Sequence, residues 1–439
     1  MSENLVKLQE YITSSRSNHG FTCLYGKENV DLQKSRYLRL LRQGEKLFAS
    51  STPHIISAPG RTELGGNHTD HQNGRVLAAA VDLDCVAAVV PAPDKIVTLF
   101  SDEYQNPITL SLDSLTAKAA EKGSPEALIR GVAAARKKEG HSLCGFSGYI
   151  HATCRPGTGL SSSAAFSVLV GAVFSLFDGS EIDPLQLARH AGFAENFYFG
   201  KPCGLMDQIS SAVGTTLFID FLDPNQPVIT PLRTAVFKES PYKQLIIDTG
   251  GSHRELTREY SEIPDEIQCA TRILGQNRAR GLTVEEVVTG LPELRKRAGD
   301  RAVLRLLHVI GEDRRVISQF RALRDGRFSD FLALVAESGT SSCQMLQNCA
   351  TPGQTTEQGI LLALALTKQL CPDSIVRVHG GGFAGTIQAY IPTDDSSHYC
   401  TSMRRIFGKD AILPIRTGRP GVCTLTAGGW FFPPQEEKR

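Results

Sequence analysis

The chain lacks an excess of charge of either sign. Forty-seven lysines and arginines stand against 46 aspartates and glutamates, a formal net charge of +1, so no basic field favours nucleic acid. It lacks an apolar run long enough to span a bilayer. Met1-Ser2-Glu3-Asn4 lacks the apolar core of a signal peptide, so a cytoplasmic protein without a membrane partner is expected. It lacks Cys-x-x-Cys, and its 11 cysteines are scattered and odd in number. Reduced, mostly buried thiols therefore fit better than a secreted disulfide framework. Gly-x-x-x-x-Gly-Lys-Ser/Thr is absent, as is Gly-x-Ser-x-Gly, which argues against a Walker A loop and a hydrolase nucleophile elbow. No repeat or low-complexity block is present.

What remains is an ordinary globular composition, 41% hydrophobic and 21% charged. At 439 residues the chain exceeds one compact core, so two domains are expected. Residues 1–50 read as amphipathic helix, with Leu5, Leu8 and Ile12, then Leu38, Leu40, Leu41 and Leu47, at helical spacing. Strands are expected at Val76–Val90, Lys95–Ser101, Phe146–Thr153, Leu245–Asp248, Ser374–Val378 and Thr386–Ile391. Helices are expected at Pro125–Glu139, Ser161–Phe177 and Pro184–Gly200 and through most of 254–370, with a frayed end over Pro433–Arg439. This mixture has no steady β-α-β rhythm, so the fold class is α+β with two layers. A composition shift near 210–215 places the boundary between domains 1–213 and 214–439.

Three glycine-bearing stretches carry the chemistry. Ala58–His71 (APGRTELGGNHTDH) is too rich in turn formers for a plain helix or strand and reads as one short bend. It crowds arginine, histidine and aspartate as a polar small-molecule site does, or as a solvated loop does. Arg155–Ala165 (RPGTGLSSSAA) lies between an expected strand and an expected helix. Its glycines admit close backbone approach, and its serines and helix N-terminus favour an anion such as phosphate. Simple serine capping of the helix is the alternative. Arg377–Gly385 (RVHGGGFAG) contains Gly-x-Gly-x-x-Gly, but Thr386–Ile391 alternates as a strand where a dinucleotide fold needs a helix. A tight glycine turn between two strands is the reading that remains.

Two carboxylates are candidates for acid–base work. Glu195 lies on an apolar helix, and Asp207 lies between methionine and glutamine in a weakly charged stretch. A buried carboxylate needs a charge partner or a proton, and Arg61 is the candidate partner. Helix capping is the other role open to Asp207. His68, Asp70 and His71 resemble a metal cluster, but their spacing matches no zinc pattern.

In this order the three stretches resemble the GHMP kinases, and among them the branch that phosphorylates galactose. Gly60–Asp70 is similar to that branch's signature Gly-Arg-x-Asn-Leu-Ile-Gly-Glu-His-Thr-Asp. Gly159–Ala164 resembles the family's nucleotide loop and His379–Gly385 its third motif. Ala194-Glu195-Asn196 with Pro202–Gln208 resembles the stretch that carries the base.

The resemblance implies an N-terminal α+β domain like that of ribosomal protein S5 and a ferredoxin-like C-terminal domain, with the active site between them and the last strand able to pack back on the first domain. It implies transfer of the γ-phosphoryl of ATP, with Mg²⁺, to the anomeric hydroxyl of α-D-galactose by a monomer. Asp207 would be the base and Arg61 its partner. Asn67, His68, Thr69, Asp70, Gly204 and Tyr260 would contact the sugar. Ser101 and the run Gly157, Thr158, Gly159, Leu160, Ser161, Ser162 and Ser163 would contact ATP, and Ser163 and Glu195 would face Mg²⁺. Tyr260 is placed by its spacing from Ser252-His253. The chain departs from the pattern at Asn67, where the family has a glutamate that binds a distal sugar hydroxyl, and at His379 and Ala384. A kinase for N-acetylgalactosamine or arabinose, and a non-catalytic sugar sensor of the same fold, are the competing readings. Ser163-Ala164-Ala165 argues against the sensor.

Overall fold

The computed structural model describes residues 3–48, 51–103, 105–232, 237, 239–251 and 257–433. Ser252, His253 and residues 434–439 of the expected frayed end lie outside the described residues.

Three helices open the chain, α1 (Glu3–Thr13), α2 (Asn18–Tyr25) and α3 (Val30–Gln43). Strands β1 (His54–Gly65), β2 (Arg75–Ala92), β3 (Ile96–Ser101), β4 (Ile108–Ser111) and β5 (Gly145–Ala152) follow, with helix α4 (Pro125–Lys138) before β5. Next come α5 (Ser162–Asp178), α6 (Pro184–Ala194), α7 (Met206–Val213), β6 (Thr216–Asp220) and β7 (Val228–Leu232). Proline at N1 starts α4 and α6, whose N-caps Ser124 and Asp183 accept helix N–H groups.

The long β2 explains the layering. Val86, Ala88 and Val90 pack with Leu5, Leu8, Phe21, Tyr37 and Leu41 of α1–α3. Cys85, Ala87 and Val89 pack with Val132, Val168 and Leu187 of α4–α6. Successive strand side chains point to opposite faces, so a strand apolar at every position needs cover on both. The two layers expected from sequence are therefore three in this lobe, because α1–α3 cover the second face.

Beyond β7 the chain forms β8 (Tyr242–Asp248), then α8 (Thr257–Ile273), α9 (Val284–Thr289), α10 (Leu291–Arg297), α11 (Asp300–Arg324), α12 (Phe328–Ser341) and α13 (Gly359–Leu370). The strands β9 (Ile375–Val378) and β10 (Thr386–Pro392), the helix α14 (Ser396–Phe407) and the strand β11 (Ile412–Pro414) complete this lobe. Its sheet has the order β11-β8-β10-β9. That is strand order 4-1-3-2 with β-α-β-β-α-β connectivity, the ferredoxin-like arrangement, with a long helical insertion in the first crossover. Strands β12 (Cys423–Thr426) and β13 (Gly429–Phe431) return to the first sheet, ordered β13-β12-β1-β2-β5-β3-β4, with β6 on β2 and β7 on β6. The boundary expected at 213/214 falls inside the N-terminal sheet, because β6 continues it by pairing Thr216–Asp220 with Arg75–Ala79.

The first glycine stretch is not one bend. Ala58–Gly65 completes β1, and only the residues after it turn. The strand accepts proline and glycine through register shifts between Pro59 and Arg61 and between Glu63 and Gly65. Gly60 is needed for close approach, since a Cβ there would lie 2.8 Å from the carbonyl oxygen of Leu160.

Candidate active site

Arg61, near the end of β1, points at Asp207 in the first turn of α7. Its Nε donates to Asp207 Oδ1 at 2.7 Å and its Nη1 to Gly159 O at 2.5 Å, while its backbone N–H donates to Leu160 O at 3.0 Å. Ser161 Oγ donates to Asp207 Oδ2 at 2.5 Å. Burial pushes the Asp207 carboxyl up, but the charges of Arg61 and Lys201 and the bonds from Arg61 and Ser161 outweigh it and hold the pKa down at about 2. Asp207 is therefore ionised and oriented at both oxygens.

Ser161 is the N-cap residue of α5, held in the left-handed region at φ 57°, ψ 55°, and its side chain does not cap the helix. Its hydroxyl goes to Asp207 instead. The first turn of α5, with Ser162 and Ser163, thus keeps N–H groups that no capping side chain satisfies, beside the exposed Arg155-Pro156-Gly157 loop. An uncapped N-terminus of a 17-residue helix behind a glycine loop suits a phosphate. Thr158 and Leu160 are buried, and Thr158 Oγ1 binds Arg155 O at 2.6 Å. Ser101 ends β3, which runs parallel to and pairs with β5, so both strands emit their loops at one edge of the sheet.

Glu195 sits where α6 gives way to a π-helical turn, Glu195–Phe199, that Gly200 ends at φ 83°. Its side chain is fully buried. Oε2 accepts from Cys203 Sγ at 3.3 Å and faces Lys201 Nζ at 3.6 Å, and Oε1 has no hydrogen-bond partner among the described residues. An orphaned, buried carboxylate oxygen beside the phosphate loop fits a hard divalent cation. Lys201 Nζ also lies 4.0 Å from Asp207 Oδ2, so one ammonium spans both carboxylates. Sequence reading missed Lys201, whose only signal was a lysine between the two acids.

The remaining sequence candidates gather against the β9–β10 glycine turn or near Asp207. His68 Nε2 contacts Gly381 O at 3.2 Å, and Tyr260 donates to Gly382 O at 3.0 Å. Asp70 lies beside Gly204, where a Cβ would come within 2.2 Å of its Oδ2. Burial, then the charge of Asp207, raises the Asp70 pKa to about 6. Burial, then His71, lowers that of His68 to about 3, and burial, then Arg278, lowers that of His71 to about 4. Among the described residues no group of three or more His, Cys, Asp or Glu is arranged to hold a metal ion.

Two residues of the first stretch are committed to the protein. Thr69 Oγ1 donates to Gly66 O and Arg75 O, closing the turn. Asn67 is 1% exposed. Its Nδ2 donates to the Glu63 carboxylate at 3.2 and 3.3 Å and to Gly380 O at 2.8 Å. Its Oδ1 accepts from Asn348 at 3.0 Å and Ser342 at 3.4 Å. Glu63 in turn pairs with the buried Arg377 of β9. His379 bridges Thr62 and Thr386 at 3.0 and 3.2 Å, and burial holds it neutral. These contacts knit β1 to the third motif and make the seam between the lobes.

A phosphate-ready helix start facing an arginine-held aspartate, at the seam with a ferredoxin-like lobe, defines a small-molecule kinase of the GHMP class. The description "GHMP kinases N terminal domain" matches residues 127–215, and "Galactokinase galactose-binding signature" matches residues 45–91. A galactokinase from Chloroflexus aggregans is 31% identical over 391 residues, 88% of this chain and 95% of that protein. Among solved structures, Lactococcus lactis galactokinase complexed with galactose superposes with a TM-score of 0.76 at 21% identity, covering 88% of this chain and 99% of that one. Mevalonate kinase of Methanococcus jannaschii gives 0.56 at 15% identity, covering 83% and 98%. The chain belongs to the galactokinase family.

Proposed function

We propose that this chain transfers the γ-phosphoryl group of ATP to the anomeric hydroxyl of α-D-galactose, giving galactose 1-phosphate and ADP. The observation that carries this is the Ser161 hydroxyl, which orients Asp207 and leaves the start of α5 uncapped, so that base and phosphate site are made by one residue. The anomeric oxygen forms its bond to the γ-phosphorus as the bond from that phosphorus to the β–γ bridging oxygen breaks, and ADP leaves. Asp207 Oδ2 or Oδ1 takes the hydroxyl proton. A carboxylate with a pKa near 2 is a weak base, which suits proton transfer late in a loose transition state whose phosphoryl group is already largely free. Arg61 and Lys201 place positive charge beside the transferring group.

Asp70, His68 and Tyr260 are the proposed sugar contacts, with Gly204 giving the room. Glu195 and Ser163 would hold Mg²⁺, which when bound neutralises phosphate charge. A cytoplasmic setting is supported by the cysteines, all 11 of which are free. No helix of the described residues is long and apolar enough to cross a membrane.

The occupied amide of Asn67 favours a second point, that this residue does not read the distal sugar hydroxyl. The test is ADP release across galactose, 6-deoxygalactose, 2-acetamidogalactose and arabinose. Galactose turnover is expected, with 6-deoxygalactose as an accepted substrate. Binding of galactose and ATP without ADP release from any sugar would sink the enzyme reading.

A further inference from the structure

The three N-terminal helices bury one face of the sheet, but α3 also sends side chains to the edge where the nucleotide loops begin. Arg36 ion-pairs with Asp84 at 2.8 Å, and its Nε and Nη2 donate to His151 Nδ1 and His151 O at 3.1 and 3.4 Å. Asp84 is fully buried and belongs to β2. Its carbonyl oxygen accepts the N–H groups of Thr153 and Cys154 at 2.7 and 3.3 Å, and its N–H donates to Thr153 Oγ1 at 2.8 Å. Arg36 therefore grips both sides of the exit of β5, which ends at Ala152, just before the loop at Arg155–Gly159. One turn further along α3, Arg39 donates to Asp102 at 2.8 Å, and a second turn on, Gln43 does so at 2.7 and 3.0 Å. Asp102 follows Ser101 at the end of β3 and also accepts from Tyr149 of β5 at 2.5 Å.

We infer that α3 is a positioning element for the nucleotide: Arg36 fixes the start of the phosphate loop, and Arg39 with Gln43 fixes the Ser101–Asp102 turn beside it. This rests on the kinase reading, which makes that edge the ATP site. A guanidinium is suited to the first task because its planar fork meets a carboxylate, a ring nitrogen and a carbonyl together, which an ammonium cannot. Neither Arg36, Arg39 nor Gln43 is among the residues placed against the sugar, so loss of the latch acts on the nucleotide selectively.

The test measures Kd for ADP and for galactose by calorimetry, KM for both substrates, and Tm. The double variant Arg39→Ala/Gln43→Ala, at an exposed latch, is expected to raise Kd for ADP and KM for ATP by roughly five- to tenfold through loop misplacement. Galactose Kd should stay within about twofold and Tm within a few degrees. Arg36→Ala is expected to go further, and Arg36→Lys not to rescue it. If Arg36→Ala does not fold, the double variant decides. Unchanged ADP affinity in the folded double variant, or equal weakening of both ligands, overturns the inference. Wild-type protein that binds ADP but phosphorylates no sugar overturns the kinase reading instead, while selective ADP loss in the latch variants would still stand.

Discussion

Arg61 and Asp207 meet at 2.7 Å, and the same guanidinium holds Gly159 O at 2.5 Å. One side chain from β1 thus ties the carboxylate of α7 to the phosphate loop before α5. The distance between that carboxylate and the loop is set by a fork of hydrogen bonds rather than by either element alone.

Replacing Asp207 with asparagine keeps the size and the contact to Ser161 but removes the charge and the proton acceptor. Asp207→Asn should fold and lose at least ~10²-fold in kcat, the scale of a general base. Galactose affinity, measured separately, should change far less. Thermal unfolding should also fall, because a buried arginine left without its carboxylate can cost about 3–5 kcal/mol. A variant with kcat within a few-fold of wild type removes Asp207 from the role of base.

The pH dependence separates Asp207 from Asp70. Asp207 has a folded pKa near 2, below its ordinary value of 3.8. The stability it contributes is present in full above 3.8 and is lost as pH falls through 2, an amount of about 2 kcal/mol. Asp70, raised to about 6, works the other way. The fold binds its proton more tightly than the unfolded chain does, so its contribution falls as pH rises from 3.8 to 6. In the proposed sugar site Asp70 acts in its ionised form, which accepts hydroxyl hydrogen bonds. Galactose kcat/KM should therefore drop as pH falls below about 6, while kcat shows no Asp207 limb down to pH 4. His68, held near 3, titrates below that window, and His71, held near 4, enters only at its lower end. Asp70→Asn should raise Tm at pH 7.5 more than at pH 5 while weakening galactose. Equal Tm changes at both pH values would mean that Asp70 is not strained by burial.

The sequence made the chemistry legible because its parts are local: a glycine loop before a helix, and an aspartate that needed a cation. It left obscure what depends on long-range contact. Proline and glycine in Ala58–Gly65 argued for a bend, yet the β2 partner and two register shifts carry β1 through them. The direction of the Ser161 hydroxyl depends on α7, 46 residues away. Cover on both faces of the sheet was written in β2, where Cys85–Val90 is apolar at every position, but not the identity of α1–α3 as the second cover. Lys201 carries no motif, and only the π-helical turn that folds it back over Glu195 gives it a place.

Glu63 and Asn67 stand in the opposite order to the family signature, which has asparagine first and glutamate second. Here Asn67 donates to both oxygens of the Glu63 carboxylate, and Glu63 pairs with Arg377, each of the three at most 3% exposed. The pair is therefore one unit in which a single carboxylate faces a single buried guanidinium. Glu63→Asn alone leaves Arg377 unpaired and should cost about 3–5 kcal/mol. Asn67→Glu alone puts two carboxylates in contact, which burial already disfavours at Glu63, and should cost about 2 kcal/mol or more. The double variant restores one carboxylate to the unit. Its destabilisation in urea unfolding should fall short of the sum by at least about 1 kcal/mol. It should also discriminate galactose from 6-deoxygalactose more sharply than wild type, since a charge then stands at position 67. Additivity within about 0.5 kcal/mol would mean that the two residues act independently and that the exchange is not compensatory.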